Sequence, residues 1–127
     1  MKIFDCFMYF DEDLLLDLRL NYLDNFVDKF IIIECNYNHK GEAKKPRFKK
    51  EKYQKFKNKI EYVLLEEKPE AIEEVSINDS EDEANAKYIF NAIKRENFQR
   101  NHIKNCLSGA DENDWIIISD LDEVPNL

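Results

Sequence analysis

Strands and helices alternate along this sequence, which predicts an α/β domain with a mostly parallel sheet flanked by helices. Four short apolar runs, at residues 2–9, 30–35, 60–65 and 115–119, have the length and bounds of strands. Between them lie segments of helical periodicity or of lysine-rich polar character. The resulting order is β-α-β-(α)-β-α-β, with right-handed crossovers expected. Only 2 glycines and 3 prolines occur in 127 residues, too few for the turns of a β-sandwich or for long disordered stretches.

The first run, Lys2 to Tyr9, is almost continuously apolar, as suits a central strand covered on both faces. Asp11 to Asn25 follows as a helix, with Leu15, Leu18, Tyr22 and Phe26 at helical spacing and Asp11 or Asp13 available as a cap. Phe30 to Cys35 is the second strand. Asn36 to Pro46 reads as a polar loop holding Gly41, and Phe48 to Lys57 as a short lysine-rich helix or turn. Ile60 to Leu65 is the third strand. The acidic, irregular stretch from Glu66 to Asp79 is broken by Pro69. Ser80 and Glu83 have capping-box spacing. The long helix after them carries Ala86, Ile89, Phe90, Ile93, Ile103, Cys106 and Leu107 on one stripe, with Gly109 as its stop. Trp115 to Ser119 is the last strand. No internal repeat or domain boundary interrupts the chain, so residues 1–127 read as a single domain.

Composition excludes several classes of function. A net charge of -8 disfavours nucleic acid as a partner. The charge is uneven: a basic stretch runs from Lys40 to Lys59 and an acidic one from Glu66 to Glu83. Both read as solvated faces, and the basic one suits a diphosphate or a membrane surface if it has a ligand. No apolar run is long enough for a transmembrane segment. The N-terminus reaches Asp5 too early for a signal-peptide core. Cys6, Cys35 and Cys106 are widely spaced and lie among apolar residues, as reduced buried thiols would. The expected location is therefore cytoplasmic, with a peripheral membrane association compatible with the basic stretch.

Chemistry concentrates at the end of the last run. Trp115-Ile116-Ile117-Ile118-Ser119 leads into Asp120-Leu121-Asp122. In an extended segment, residues i and i+2 face the same way, so both carboxylates are expected together past the strand's carboxyl end. Ligands bind at that edge of open α/β sheets. Two hard oxygen ligands suit Mg²⁺ or Mn²⁺, which share their shells with phosphates and water. Glu34 closes the second strand at the same edge, either facing a ligand or paired with a lysine. Arg19 reads as a structural residue pairing with Glu12 or a neighbouring strand end. His39 and His102 are isolated histidines, read as surface hydrogen-bonding side chains.

Five segments, in order, resemble glycosyltransferase family 17, the β-1,4-mannosyl-glycoprotein 4-β-N-acetylglucosaminyltransferases. They are Met1 to Phe10 with Glu12, Leu15, Leu18, Arg19 and Leu20; Val27 to Glu34; Asn38-His39-Lys40-Gly41; Glu96 to Asn101; and Asp114 to Pro125. The similarity is weak only over residues 42–85. It implies a GT-A-like, Rossmann-like fold, of which this chain would be the N-terminal, nucleotide-binding half. It also implies a UDP-sugar donor, UDP-GlcNAc first among them, a divalent metal (Mn²⁺ or Mg²⁺) and inverting transfer to a glycan acceptor. By the same resemblance Asp122 is the leading metal ligand. Asp120 binds the metal through water or holds the donor, and Glu123 supports the pair. Arg100 and Asn101, expected in mid-helix, contact the donor; Arg100 either meets the diphosphate, holds Asp120 or pairs with Glu96.

Family members continue well past the metal motif, whereas this sequence stops two residues after Pro125. No residue matches the family's general base, which is expected outside these residues together with the acceptor site. The expected last strand is then an exposed edge, open to homodimerisation. Two other readings share the motif. One is a non-catalytic nucleotide-sugar-binding module that needs the missing half. The other is a haloacid-dehalogenase-type phosphatase, in which Asp120 would be the nucleophile and Asp122 the acid/base.

Overall fold

A computed structural model describes all residues from Met1 to Leu127. Its strands are β1 (Ile3–Met8), β2 (Lys29–Cys35), β3 (Ile60–Leu65) and β4 (Trp115–Ile118), and its α-helices are α1 (Asp13–Leu23) and α2 (Glu81–Asn101). Two short 3₁₀ segments, Lys50–Phe56 and His102–Cys106, complete the regular structure. All four strands are parallel, in the order β3-β2-β1-β4. The α/β expectation therefore holds, in the strand order of a doubly wound Rossmann-like sheet.

The strand alternation divides the core in two. Phe7, Tyr9, Phe30 and Ile32 point to one face, where they meet Leu16, Leu20 and Leu23 of α1, with Val27, Tyr53, Phe56 and Leu121. Phe4, Cys6, Ile31, Ile33 and Cys35 point to the other, against Tyr37, Leu65 and Ile103. Each fully buried large apolar side chain contributes roughly 1.5–3 kcal/mol. The thiols of Cys6, Cys35 and Cys106 are free, and the first two are buried. Burial pushes Cys6 up to about 12 and Cys35 to about 11, so neither ionises near neutrality.

Helix α1 is rotated from its expected phase. Leu18 and Tyr22 are 54% and 52% exposed, while Leu16, Arg19, Leu20 and Leu23 face the sheet. The reason is Arg19: a stripe chosen for apolarity rejects a guanidinium, yet this one is wholly buried. Neither Asp11 nor Asp13 caps the helix, which begins after Glu12 without a side-chain cap. Asp13 instead accepts the hydroxyl hydrogen of Tyr9.

Helix α2 departs further. Ser80 caps it as expected, its hydroxyl accepting from the Glu83 N–H at 3.1 Å. The helix ends at Asn101 rather than near Gly109, so Arg100 and Asn101 lie in its last turn. Its apolar stripe does not reach the core: Ile89 is 62% exposed, and Phe90 and Ile93 are also exposed. Polar pins hold the helix instead. Asn91 is hydrogen-bonded to both backbone groups of Glu73 at 2.8 Å, and Gln99 Nε2 donates to the Ile33 carbonyl at 3.0 Å. The lower end of the expected stripe does pack, with Ile103 buried and Phe98, Cys106 and Leu107 against it. No helix is long and apolar enough to cross a membrane.

Candidate functional site

Strand β1 has β2 on one side and β4 on the other, so the chain's direction of travel across the sheet reverses there. Crevices outside the carboxyl ends of strands at such a reversal are where open α/β sheets bind ligands. A cavity of about 330 Å³ lies at this point. Met8, Phe10, Glu12 and Leu15 line it from the end of β1 and the start of α1, and Asp120, Leu121 and Asp122 from beyond β4. His39 and Glu96 close it.

The two aspartates meet in this cavity by a different geometry from the one expected. Residues 120–123 form a turn rather than extended chain. The Glu123 N–H donates to the Asp120 carbonyl at 2.9 Å, and Glu123 Oε1 accepts from the Asp120 N–H at 3.0 Å. Leu121 is buried beneath the turn, leaving Asp120 and Asp122 exposed on the cavity wall. Glu123 thus steadies the backbone of Asp120.

Arg19 fixes the turn to the sheet. Its guanidinium forms a bidentate pair with Asp5 in β1, at 2.8 and 2.7 Å, with both side chains 0% exposed. Nη1 donates to the carbonyls of Asp120, Leu121 and Glu123 at 2.7, 3.2 and 3.3 Å, and Nη2 to Ser119 Oγ at 2.7 Å. Every N–H of the fork has a partner, and the ring of Phe7 lies 4.7 Å beneath it. The expected partner Glu12 is not involved. Glu12 lines the cavity, where burial raises its carboxyl above the usual range.

Arg100 engages both carboxylates that sequence offered it. Nη2 lies 2.9 Å from Glu96 and 3.4 Å from Asp120, through one nitrogen and not as a bidentate pair. Asn101 is exposed and does not line the cavity. Glu34 takes the lysine-paired alternative. Its buried carboxylate accepts from Lys44 Nζ at 2.5 Å, the Arg47 and Phe48 N–H groups at 2.7 and 3.2 Å, and the Tyr62 hydroxyl at 2.7 Å. With both oxygens engaged it organises the loop after β2 and leaves nothing for a donor.

His39 was expected to be a surface hydrogen-bonding side chain, since a lone histidine in a polar loop does not show what it will face. It nevertheless faces the cavity, with Phe10 edge-on to its ring at a centroid distance of 4.8 Å. His102 keeps the surface role, its Nδ1 3.3 Å from Asn105.

The sequence model of glycosyltransferase family 17 matches residues 1–127, the whole chain. The chain belongs to this family. No curated protein and no solved structure matches it. Membership makes this family 17 chain a glycosyltransferase and implies a sugar donor and an acceptor.

Proposed function

We propose that this family 17 chain binds a UDP-sugar, UDP-GlcNAc first among them, with Mn²⁺ or Mg²⁺. The sugar then passes with inversion to a glycan hydroxyl. The observation that carries the reading is the pair Asp120 and Asp122 on the wall of a cavity at the sheet's reversal point. Of the acidic and histidine side chains that line the cavity, no three are close enough together to hold a metal ion between them. Two carboxylates fit an ion of this kind, which takes one or two from the protein and fills its shell with substrate phosphates and water. Asp122 is the better ligand, because Arg100 engages Asp120 and not Asp122. When bound, such an ion supplies Lewis-acid neutralisation of the charge that develops on the diphosphate leaving group.

The chain's own residues orient the donor. Arg19 and Glu123 hold the turn so that both carboxylates are in place before ligand arrives. Arg100, paired with both Glu96 and Asp120, would offer its guanidinium to the diphosphate.

Thermal unfolding with UDP-GlcNAc tests this. At about 100 times the dissociation constant, ligand adds about 2.7 kcal/mol, or roughly 8–15 °C for a domain of this size. The shift is expected only with sugar nucleotide and metal together; no shift with any UDP-sugar overturns the reading. Arg100→Ala is expected to weaken donor binding about tenfold. Its ion pairs are substantially exposed and so add little to stability. A large loss of stability with unchanged affinity would make Arg100 a structural residue.

A further inference from the structure

The cavity wall is of mixed character: Glu12, Glu96, Asp120 and Asp122 contribute carboxylates, Met8, Phe10, Leu15 and Leu121 apolar surface, and His39 an imidazole. Within the chain, Nε2 of His39 is shielded from solvent and has no hydrogen-bond partner. A buried polar atom without a partner is costly, and a ligand that supplies one recovers the cost.

The ring is also held in advance. Phe10 packs edge-on against it, at 88° between planes. Its backbone carbonyl accepts from Arg95 Nη1 at 2.9 Å. Two residues on, Gly41 has φ +85°, and a Cβ there would lie 2.5 Å from Arg95 Nη2. Glycine is therefore favoured by backbone conformation, and any larger residue would also have to push that guanidinium aside. The loop bearing His39 is thereby fastened to α2.

Resting on the donor-site reading, we propose that His39 is the residue that reads the nucleoside end of the donor, hydrogen-bonding through Nε2 while the diphosphate lies at Asp120 and Asp122. Apolar walls with one placed polar group are how pockets orient a ligand of mixed character. The imidazole nitrogen donates or accepts according to its tautomer, so it can pair with a base carbonyl, an imide N–H or a ribose hydroxyl.

Two probes separate a nucleoside contact from a diphosphate contact: UDP and inorganic diphosphate, each titrated with Mg²⁺. His39→Phe keeps an aromatic ring against Phe10 and removes the nitrogen. It is expected to bind UDP about tenfold more weakly, with diphosphate affinity unchanged. His39→Gln, which restores a polar group, is expected to recover part of the loss. Equal weakening for both probes, or none for either, overturns the assignment of His39. The chain has only 2 histidines, so imidazole ¹⁵N resonances give an independent readout. UDP is expected to move those of His39 and not those of His102. A wild-type chain that binds neither probe overturns the donor site as a whole. One whose Asp120–Asp122 amides respond to UDP while the His39 ring does not overturns His39 alone.

Discussion

Arg19→Ala is expected to cost roughly 3–5 kcal/mol, the penalty for leaving a buried charge without its partner. Asp5 would remain fully buried in the central strand, and three carbonyls and the Ser119 hydroxyl would lose their donor together. Chemical denaturation measures the loss directly; a change below about 1 kcal/mol would show that the pair contributes little. Replacing both partners separates stability from site geometry. Asp5→Leu with Arg19→Met removes both charges and is expected to recover much of the lost stability. Donor affinity should stay low, because the turn at residues 119–123 then keeps its internal hydrogen bonds but has lost its anchor to α1 and β1. Recovery of stability and affinity together would mean that the turn keeps its shape without Arg19.

The opposite pattern is expected of Asp122→Asn. Asp122 is exposed and Arg100 does not engage it, so the fold should change by no more than about 0.5 kcal/mol. Metal-dependent UDP-sugar binding should fall by more than roughly 100-fold, since loss of even a ligand's supporting contact costs 10–100-fold. Calorimetry with and without Mn²⁺ measures both. An affinity like the wild type's would remove Asp122 from the metal site.

The elements most legible in the sequence were those whose pattern depends on apolarity alone. The runs around Phe7 and Ile32 became strands within one or two residues of expectation, because buried parallel strands leave little room for polar residues, and the half-exposed run around Ile117 did so on its apolarity alone. Patterns failed where a polar residue does the work of an apolar one. Arg19 turned α1 away from its expected face, and Asn91 and Gln99 hold α2 while Ile89 and Ile93 remain in solvent. Such side chains enter a core with hydrogen bonds to Asp5, Glu73 and Ile33, and those partners are distant in sequence. At the site, Asp120 and Asp122 were legible from an apolar run ending in two acids. Glu34 was left between a ligand and a lysine, because its position at a ligand edge is visible in sequence while its four partners are not. His39 was read as a surface side chain because only the fold brings its loop to Phe10.

The clamp between Arg19 and Asp120 spans 101 residues. Asp5 and Arg19 can find each other early, being 14 residues apart. The guanidinium's remaining donors must wait for the last strand to dock on the open side of β1. Contacts of such long range form late, after the entropy of closing the intervening chain has been met. The carboxylate pair is therefore expected to be assembled late in folding, and under the proposed function a partly folded chain should not bind nucleotide. Ligand added during refolding should leave the early steps untouched and act only on the completed domain.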